Sequence, residues 1–536
     1  MNYSNKKRTI YLPLIIAFSL VLGYIAGNFL PGGETDSVHS NIRTRNDKLD
    51  NIVNIILANY VDSVNRQSLE ESAIPAMLKK LDPHSIYIPA KDLKRANEPL
   101  QGNFDGIGIS FNLMTDTILV INTILGGPSE KAGLIAGDKI IYINDSLVAG
   151  KNISEEAAMS MLKGPRGTTV KLKILRKGQD ELLPFEITRG KIPINTVDVA
   201  YMVNDNTGYI KINNFALTTF DEFMKSLEEL EGDGMTKLIV DLRNNSGGVM
   251  DAAIQIANQF LRKGQLIVFT KGRMQPRNDF FATGDGKFET GSLVILIDEF
   301  SASASEILAG AVQDNDRATI IGRRSFGKGL VQDPIMFSDG SGMRLTIARY
   351  YTPTGRSIQK PYNNGTDKYF EDFRERFARG ELLVKDSIHL NNLPKFVTPG
   401  GKVLYGEGGI MPDKFIPIDT SGISSYFVAV KNTTIYLFAL KYTEDNRETL
   451  SKFTTSRDLE NYLEKQDLLN KFVRFAASKG IKRDPEGIKI SGPIIKTQLE
   501  AYIARNILNN KGFYPIWEKL DTTLKYAIDY LKREDS

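Results

Sequence analysis

The stretch Leu293-Val294-Ile295-Leu296-Ile297-Asp298-Glu299-Phe300-Ser301-Ala302-Ser303-Ala304-Ser305-Glu306-Ile307-Leu308 passes from an unbroken apolar run, through small residues, into a helical pattern. A short apolar run bounded by turn residues reads as a strand buried on both faces. The same order of strand and helix recurs upstream. Residues 207–212 read as a strand and 220–230 as a helix, then 237–242 as a strand and 249–261 as a helix. With 293–298 as a strand and 305–313 as a helix, this alternation predicts an α/β layer around a buried sheet.

The small residues between strand and helix let a ligand backbone approach closely. The helix start offers free backbone N–H groups and the positive end of the helix dipole. A serine hydroxyl placed there could attack a carbonyl while backbone donors hold the oxyanion. The plainer alternative is N-capping, for which serine is favoured. A serine nucleophile needs a base. The chain has no cysteine and only three histidines, His39, His84 and His389. His39 falls in a linker, His389 in an irregular region and His84 far upstream. Lysine is the other base type known to serve serine. Lys328, in Gly327-Lys328-Gly329-Leu330-Val331-Gln332, is the candidate. On a strand, Lys328, Leu330 and Gln332 share one face, so Gln332 could orient the ammonium group. Burial would lower the lysine pKa toward neutrality. The alternative is a surface lysine at a strand start. Gly322-Arg323-Arg324-Ser325-Phe326-Gly327-Lys328 also fits half of a phosphate loop. That motif requires Ser or Thr next, and a helix after it. Gly329 and a strand-like run follow instead.

Length and composition bound these readings. At roughly 150 residues per domain, 536 residues make three or four domains. Apolar residues at 41% and charged residues at 25% describe a globular chain, and exclude collagen-like, coiled-coil or wholly disordered ones. With 68 basic and 64 acidic residues the net charge is +4, too near balance to argue for nucleic-acid binding. Absence of cysteine excludes thiol nucleophiles, disulfides and Cys-based zinc sites, and three histidines sharply limit His-based metal sites.

The N-terminus reads as an address. Lys6, Lys7 and Arg8 precede an uncharged stretch over 9–30, whose 22 residues are long enough to span about 30 Å of hydrocarbon. Positive charge before the span keeps that end in the cytoplasm, so the body is exported. The expectation is a signal anchor over 1–31 that holds the catalytic body on the outer side of the inner membrane, in the periplasm or extracytoplasmic space. A cleaved signal peptide is the alternative, with Ala26-Gly27 a poor cleavage site. A linker over 32–46 follows.

Residues 47–102 contain two helical patterns, 47–62 and 69–81, and then a turn-like Leu81-Asp82-Pro83-His84-Ser85-Ile86-Tyr87. Residues 103–189 form a compact β-rich module, with strands at 118–121, 139–143 and 170–175 and short helices after Pro128 and over 154–162. Residues 190–424 carry the α/β pattern. Within them, 360–407 is polar and irregular. Residues 425–536 are mainly helical, with stretches over 459–479 and 493–508, and would cap the core, join a second copy or hold an adaptor.

Ser301-Ala302-Ser303-Ala304-Ser305-Glu306, followed by Gly327-Lys328-Gly329 and Gln332, resembles the carboxy-terminal processing peptidases, tail-specific serine proteases with a Ser-Lys dyad. Asp241-Leu242-Arg243-Asn244-Asn245-Ser246-Gly247-Gly248 resembles that family's oxyanion loop. Arg349-Tyr350-Tyr351-Thr352-Pro353-Thr354-Gly355-Arg356-Ser357-Ile358-Gln359 resembles its strand and turn, and Leu81-Asp82-Pro83-His84-Ser85 its pre-PDZ segment. The 103–189 module resembles a PDZ domain, with Gly106-Ile107-Gly108-Ile109 as the loop that holds a peptide C-terminal carboxylate. The resemblance covers 47–360 and resumes at Gly408-Gly409-Ile410-Met411-Pro412-Asp413, so 360–407 is extra.

The resemblance implies a crotonase-like α/β protease core, β-sheets with flanking helices, carrying an inserted PDZ domain between helical N- and C-terminal regions. It implies Ser303 as nucleophile, Lys328 as base and Gln332 as its positioner, with the Gly248 and Ala304 N–H groups as oxyanion hole. Its substrates would be exported proteins with free C-termini. The other function class is an exported PDZ scaffold on an inactive protease fold. A pure scaffold has no need of Ser303, Lys328 and Gln332 at this spacing.

Overall fold

The computed structural model describes residues 48–534 apart from 115, 125, 388–392 and 432. The expected membrane span over 9–30, the linker over 32–46, His39 and His389 lie outside the described residues. Among the described residues, no helix is long and apolar enough to cross a membrane. The chain divides into two units, 1–73 and 74–536. In the first, Arg66 ties the helix Lys48–Asn59 to the start of the helix Arg66–Leu78 through Asp50.

The second unit is built on a six-stranded sheet. Its strands run Val197–Met202, Thr207–Ile212, Lys237–Asp241, Ser292–Ile297, Thr319–Gly322 and Lys414–Phe415 in spatial order. The first pair is antiparallel and the rest are parallel. Period-two alternation explains why the strands read as continuous apolar runs. Leu238, Val240, Leu293, Ile295 and Ile297 face one core, with Phe223, Leu227, Ile256 and Leu308 from the helices Thr219–Gly232, Met250–Asn258 and Ala304–Asp314. Ile239, Val294 and Leu296 face the other core, where the helix Thr522–Arg533 contributes Leu524, Ala527 and Leu531. Both faces are therefore covered, as a parallel sheet requires.

A second sheet orders Ile86–Ile88, Gly342–Tyr351, Leu266–Lys271 and Asn278–Phe281, with Leu330–Met336 also paired to Gly342–Tyr351. Ile86–Ile88 belongs to a segment expected to be only a turn. Its three residues are too few to show a period, and they become a strand by pairing with a partner some 250 positions away.

The β-rich module is a sheet in which Ile109–Met114 is an edge strand. Its chain enters and leaves through Asn103–Gly106 and Gly190–Pro193, which pair antiparallel.

Residues 360–407, expected to be irregular, contain the helix Thr366–Ala378 and a hairpin of Lys395–Val397 with Val403–Tyr405. The helix was readable. Tyr369, Phe370, Phe373 and Phe377 follow helical spacing, masked by the charged residues between them. The C-terminal region has its own core, with Phe438, Phe472 and Leu499 at its heart. The expected helix over 459–479 is two, Ser456–Leu463 and Leu468–Ser478, and 493–508 lies inside Pro485–Trp517. This region also touches the β-rich module, where Leu440 packs on Leu119 and Ile121.

Candidate active site

Ser303 sits where the strand Ser292–Ile297 turns into the helix Ala304–Asp314. Its backbone has φ 55° and ψ −115°, a conformation a non-glycine residue adopts at a cost of order 1–3 kcal/mol. The neighbouring serines are differently placed. Ser301 is fully buried and donates its hydroxyl to the Leu242 carbonyl at 2.8 Å. Ser305 is fully buried and donates to the Asn245 carbonyl at 3.0 Å. Ser303 is half-buried. The alternating Ser-Ala pattern thus resolves into two buried structural hydroxyls and one half-buried serine between them.

Glu306 holds the turn to the lysine segment. Its buried carboxylate accepts from the N–H groups of Ser303 at 2.9 Å, Gly327 at 2.7 Å and Lys328 at 2.8 Å, and from the Ser325 hydroxyl. Burial pushes its pKa up to about 7, against the pull of these donors. Tyr350 adds a second link, its hydroxyl reaching the Lys328 carbonyl and lying 3.0 Å from the Ser303 carbonyl. Glu306 and Tyr350 stand within the quoted motifs, where their residue types alone assign neither a role. An acid in the first turn of an apolar helix, three residues after its cap, was the available signal.

Glu306→Gln is expected to lower kcat by about 100-fold and to lower Tm. An amide has one acceptor oxygen, and its NH2 would face donors, leaving buried N–H groups unpaired at ~1–3 kcal/mol each. Kinetics beside thermal melts of the same preparation check this.

Lys328 Nζ bonds Gln332 Oε1 at 3.2 Å. Burial and then the charge of Arg344 lower its pKa from the ordinary lysine value. The shared strand face expected for Lys328 and Gln332 is not how they meet. The strand begins at Leu330, after Lys328, and a register shift falls between Val331 and Gln332. Among the described residues, Lys328 Nζ makes no hydrogen bond to Ser303. Gly327-Lys328-Gly329 leads into a strand, and Arg323 and Arg324 are held by Glu299 and Glu381, so no phosphate loop forms.

Gln332 Nε2 donates to the main-chain carbonyl of His84. His84, far upstream in sequence, therefore lies beside the lysine. The Asp82 carboxylate fixes its turn by accepting from the N–H groups of His84 at 2.8 Å and Ser85 at 2.9 Å. The imidazole bonds the Tyr369 hydroxyl at 2.9 Å, which brings the extra segment over 360–407 to the site. Burial, and next the positive charge of Lys328, lower the His84 pKa to about 3. A histidine whose folded pKa lies below its unfolded value stabilises the fold above about pH 6.5, and that contribution is lost as pH falls. Denaturant midpoints between pH 8 and pH 4 are expected to fall more steeply for the unmodified chain than for His84→Gln.

The N–H groups expected to form the oxyanion hole differ from their neighbour in their partners. Gly247 N–H is used by Asn245 Oδ1 at 2.8 Å. Among the described residues, the N–H groups of Gly248 and Ala304 have no acceptor. Gly247 packs on the serine turn, where an added Cβ would lie 2.7 Å from Ser303 Cβ and 2.9 Å from Ala304 N.

In the β-rich module, Gly108 has φ 76°. The Ile107 and Gly108 carbonyls accept from Ser129 N–H and Ile124 N–H, while the N–H groups of Ile107 and Gly108 have no acceptor among the described residues. Gly106 pairs with Gly190, and Ile109 opens the edge strand.

Peptidase family S41 matches residues 206–367 and a PDZ domain matches 106–187. The activating protease CtpB N-terminal domain matches 32–92, and a family of unknown function matches 426–509. A carboxy-terminal-processing protease of Bartonella bacilliformis is 37% identical over 354 residues, 63% of this chain and 80% of the relative. The chain belongs to the carboxy-terminal processing proteases. It is a serine-type peptidase with a PDZ domain. The carboxy-terminal processing protease CtpB of Bacillus subtilis is 35% identical over 351 residues, 65% of this chain and 72% of the relative. Among solved structures, a photosystem II D1 C-terminal processing protease is 28% identical, covers 57% of this chain and 83% of its own, and has a TM-score of 0.33. The processing protease thus carries an S41 match over the segment that holds Gly248, Ser303, Lys328 and Gln332.

Proposed function

We propose that Ser303 is the nucleophile and Lys328 the general base of a C-terminal processing endopeptidase acting on exported proteins. Ser303 Oγ attacks the scissile carbonyl. Neutral Lys328 takes the hydroxyl proton and passes it to the leaving amine, and water then releases the acyl group by the reverse assistance. The N–H groups of Gly248 and Ala304 hold the oxyanion of each tetrahedral intermediate. Gln332 holds Lys328 Nζ at 3.2 Å, and Nζ swings from there toward Ser303 when substrate excludes water. Hydrogen bonds of this kind commonly tighten only with substrate bound.

The observation that carries this reading is the sorting of the serines: Ser301 and Ser305 are spent on carbonyls, and Ser303 shares the Glu306 carboxylate with Lys328. The Gly106–Ile109 loop receives the substrate's C-terminal carboxylate, and the substrate tail adds to the edge strand. The organisation we infer is a signal anchor over 1–31, a linker over 32–46, a helical region over 47–102, the PDZ domain over 103–189, the protease core over 190–424 and a helical region over 425–536. The anchor would hold the body outside the cytoplasm, at the inner membrane.

The test is cleavage of an unfolded protein with an apolar tail, its C-terminus free or amidated. Cleavage is expected to vanish in Ser303→Ala and to persist in correctly folded Ser301→Ala. Amidation is expected to slow it. Cleavage that survives in Ser303→Ala sinks the assignment.

A further inference from the structure

The helical C-terminal region reaches the oxyanion loop through Asp521. Asp521 grips Arg243 with both carboxylate oxygens, Oδ1 to Nη1 at 2.8 Å and Oδ2 to Nη2 at 2.6 Å. Such a two-bond fork fixes orientation as well as distance. Arg243 also holds Asp241, through Nε at 3.0 Å and Nη2 at 2.6 Å. Tyr209 and Lys211 complete the cluster. The Tyr209 hydroxyl donates to Asp241 at 2.7 Å and Lys211 Nζ donates to the Arg243 carbonyl at 3.0 Å. Two acids therefore balance two cations in a nearly dry space.

Arg243 is not a bystander to the site. The next residue, Asn244, donates its N–H to Asp298 Oδ1 at 3.0 Å. Asn245 then receives Ala302 N–H on its carbonyl at 2.9 Å and Gly247 N–H on its side chain at 2.8 Å. The loop that ends at Gly248 is thus anchored at its start by Arg243 and along its length by the serine turn. Asp521 itself is fixed, since it caps the helix Thr522–Arg533 by accepting Leu524 N–H at 2.9 Å. That helix is packed on the central sheet through Leu524, Ala527 and Leu531.

We propose that Asp521 is a positioning residue for the oxyanion hole, acting through Arg243, so that the last helix of the C-terminal region belongs to the catalytic apparatus. The proposal rests on the reading of Gly248 N–H as an oxyanion donor. Without Asp521, Arg243 and Lys211 share one carboxylate, Arg243 Nη1 loses its partner, and the guanidinium is held from the Asp241 side alone. A displacement of about 1 Å at an oxyanion donor is enough to cost on the order of 100-fold in rate.

Asp521→Asn in the full chain keeps the size of the side chain and its capping oxygen. It is expected to lower kcat by about 10- to 100-fold with KM changed less than threefold. Affinity for a peptide aldehyde, whose adduct with the serine places its oxygen in the hole, is expected to fall by a similar factor. Asp521→Glu, which keeps the charge and shifts the carboxylate by one methylene, is expected to fall between. A role confined to stability would lower Tm and leave kcat and aldehyde affinity unchanged well below the transition. That outcome overturns the proposal. Should Asp521→Asn not fold, Asp521→Glu is read by the same two numbers. Gly248→Ala separates the two levels of argument. If it retains full kcat, the oxyanion reading fails. If it loses activity while the Asp521 variants keep theirs, only the positioning role fails.

Discussion

Ser303→Ala and Lys328→Met are each expected to reduce kcat by about 10⁴- to 10⁶-fold, and the double variant by no more than the worse of the two. Residues that act as one unit in nucleophilic catalysis give such non-additive losses. Once the serine is gone, the lysine has no proton to take. Once the lysine is gone, the hydroxyl keeps its proton and is a weak nucleophile. Both variants are expected to fold. Ser303→Ala removes one half-buried oxygen and leaves the Ser303 N–H bond to Glu306, because that bond is made by the main chain. Lys328→Met likewise keeps the Lys328 N–H bond to Glu306 and fills most of the same volume. Single-turnover rates beside circular dichroism of the three variants check this. Losses that multiply in the double variant would mean that the two side chains act independently.

Gly248→Ala is expected to cost at least 100- to 1,000-fold in kcat, the scale of one lost oxyanion donor. The argument is steric. Gly248 has φ 144°, and a Cβ there would meet the Phe215 carbonyl oxygen at 1.9 Å. No rotamer can relieve that contact, because the Cβ position is fixed by the main chain and its partner is a main-chain oxygen. The Phe215 carbonyl also accepts Val249 N–H at 2.8 Å and the Phe215 N–H donates to the Gly247 carbonyl at 2.9 Å, so the clash breaks the bridge that aims Gly248. Tm is expected to fall with the activity. An alanine at Gly232, where an added Cβ meets nothing within 4 Å, serves as the neutral control.

The sheet was legible because its strands are short, apolar and separated by helical patterns, and burial on both faces leaves no polar alternation to confuse the reading. The protease family was legible because the residue types around Ser303 and Lys328 match its motifs. What escaped the sequence was contact between distant segments. His84 lies far from the lysine along the chain, yet the strand Ile86–Ile88 pairs with Gly342–Tyr351 and carries it to Gln332. A three-residue strand has no period to detect, and a main-chain carbonyl leaves no trace in residue identity. Asp521 was invisible for a similar reason. It reads as an ordinary N-cap before Thr522, and its second role depends on which loop the helix Thr522–Arg533 happens to cover. Glu306 differs, since its place after the serine was visible and only its number of partners was not.

The pairing of Asp521 with Arg243 also bears on when the enzyme can begin to work. The chain is made from its N-terminus, so Gly248, Ser303 and Lys328 are all present long before residue 521 arrives. If Asp521 positions the oxyanion loop as proposed, that loop waits for a partner encoded more than 270 positions later, and the half-made protease would work poorly while its own unfolded tail is the nearest substrate. Folding order would then do the work that a removable pro-segment does elsewhere, with nothing to cut away afterwards.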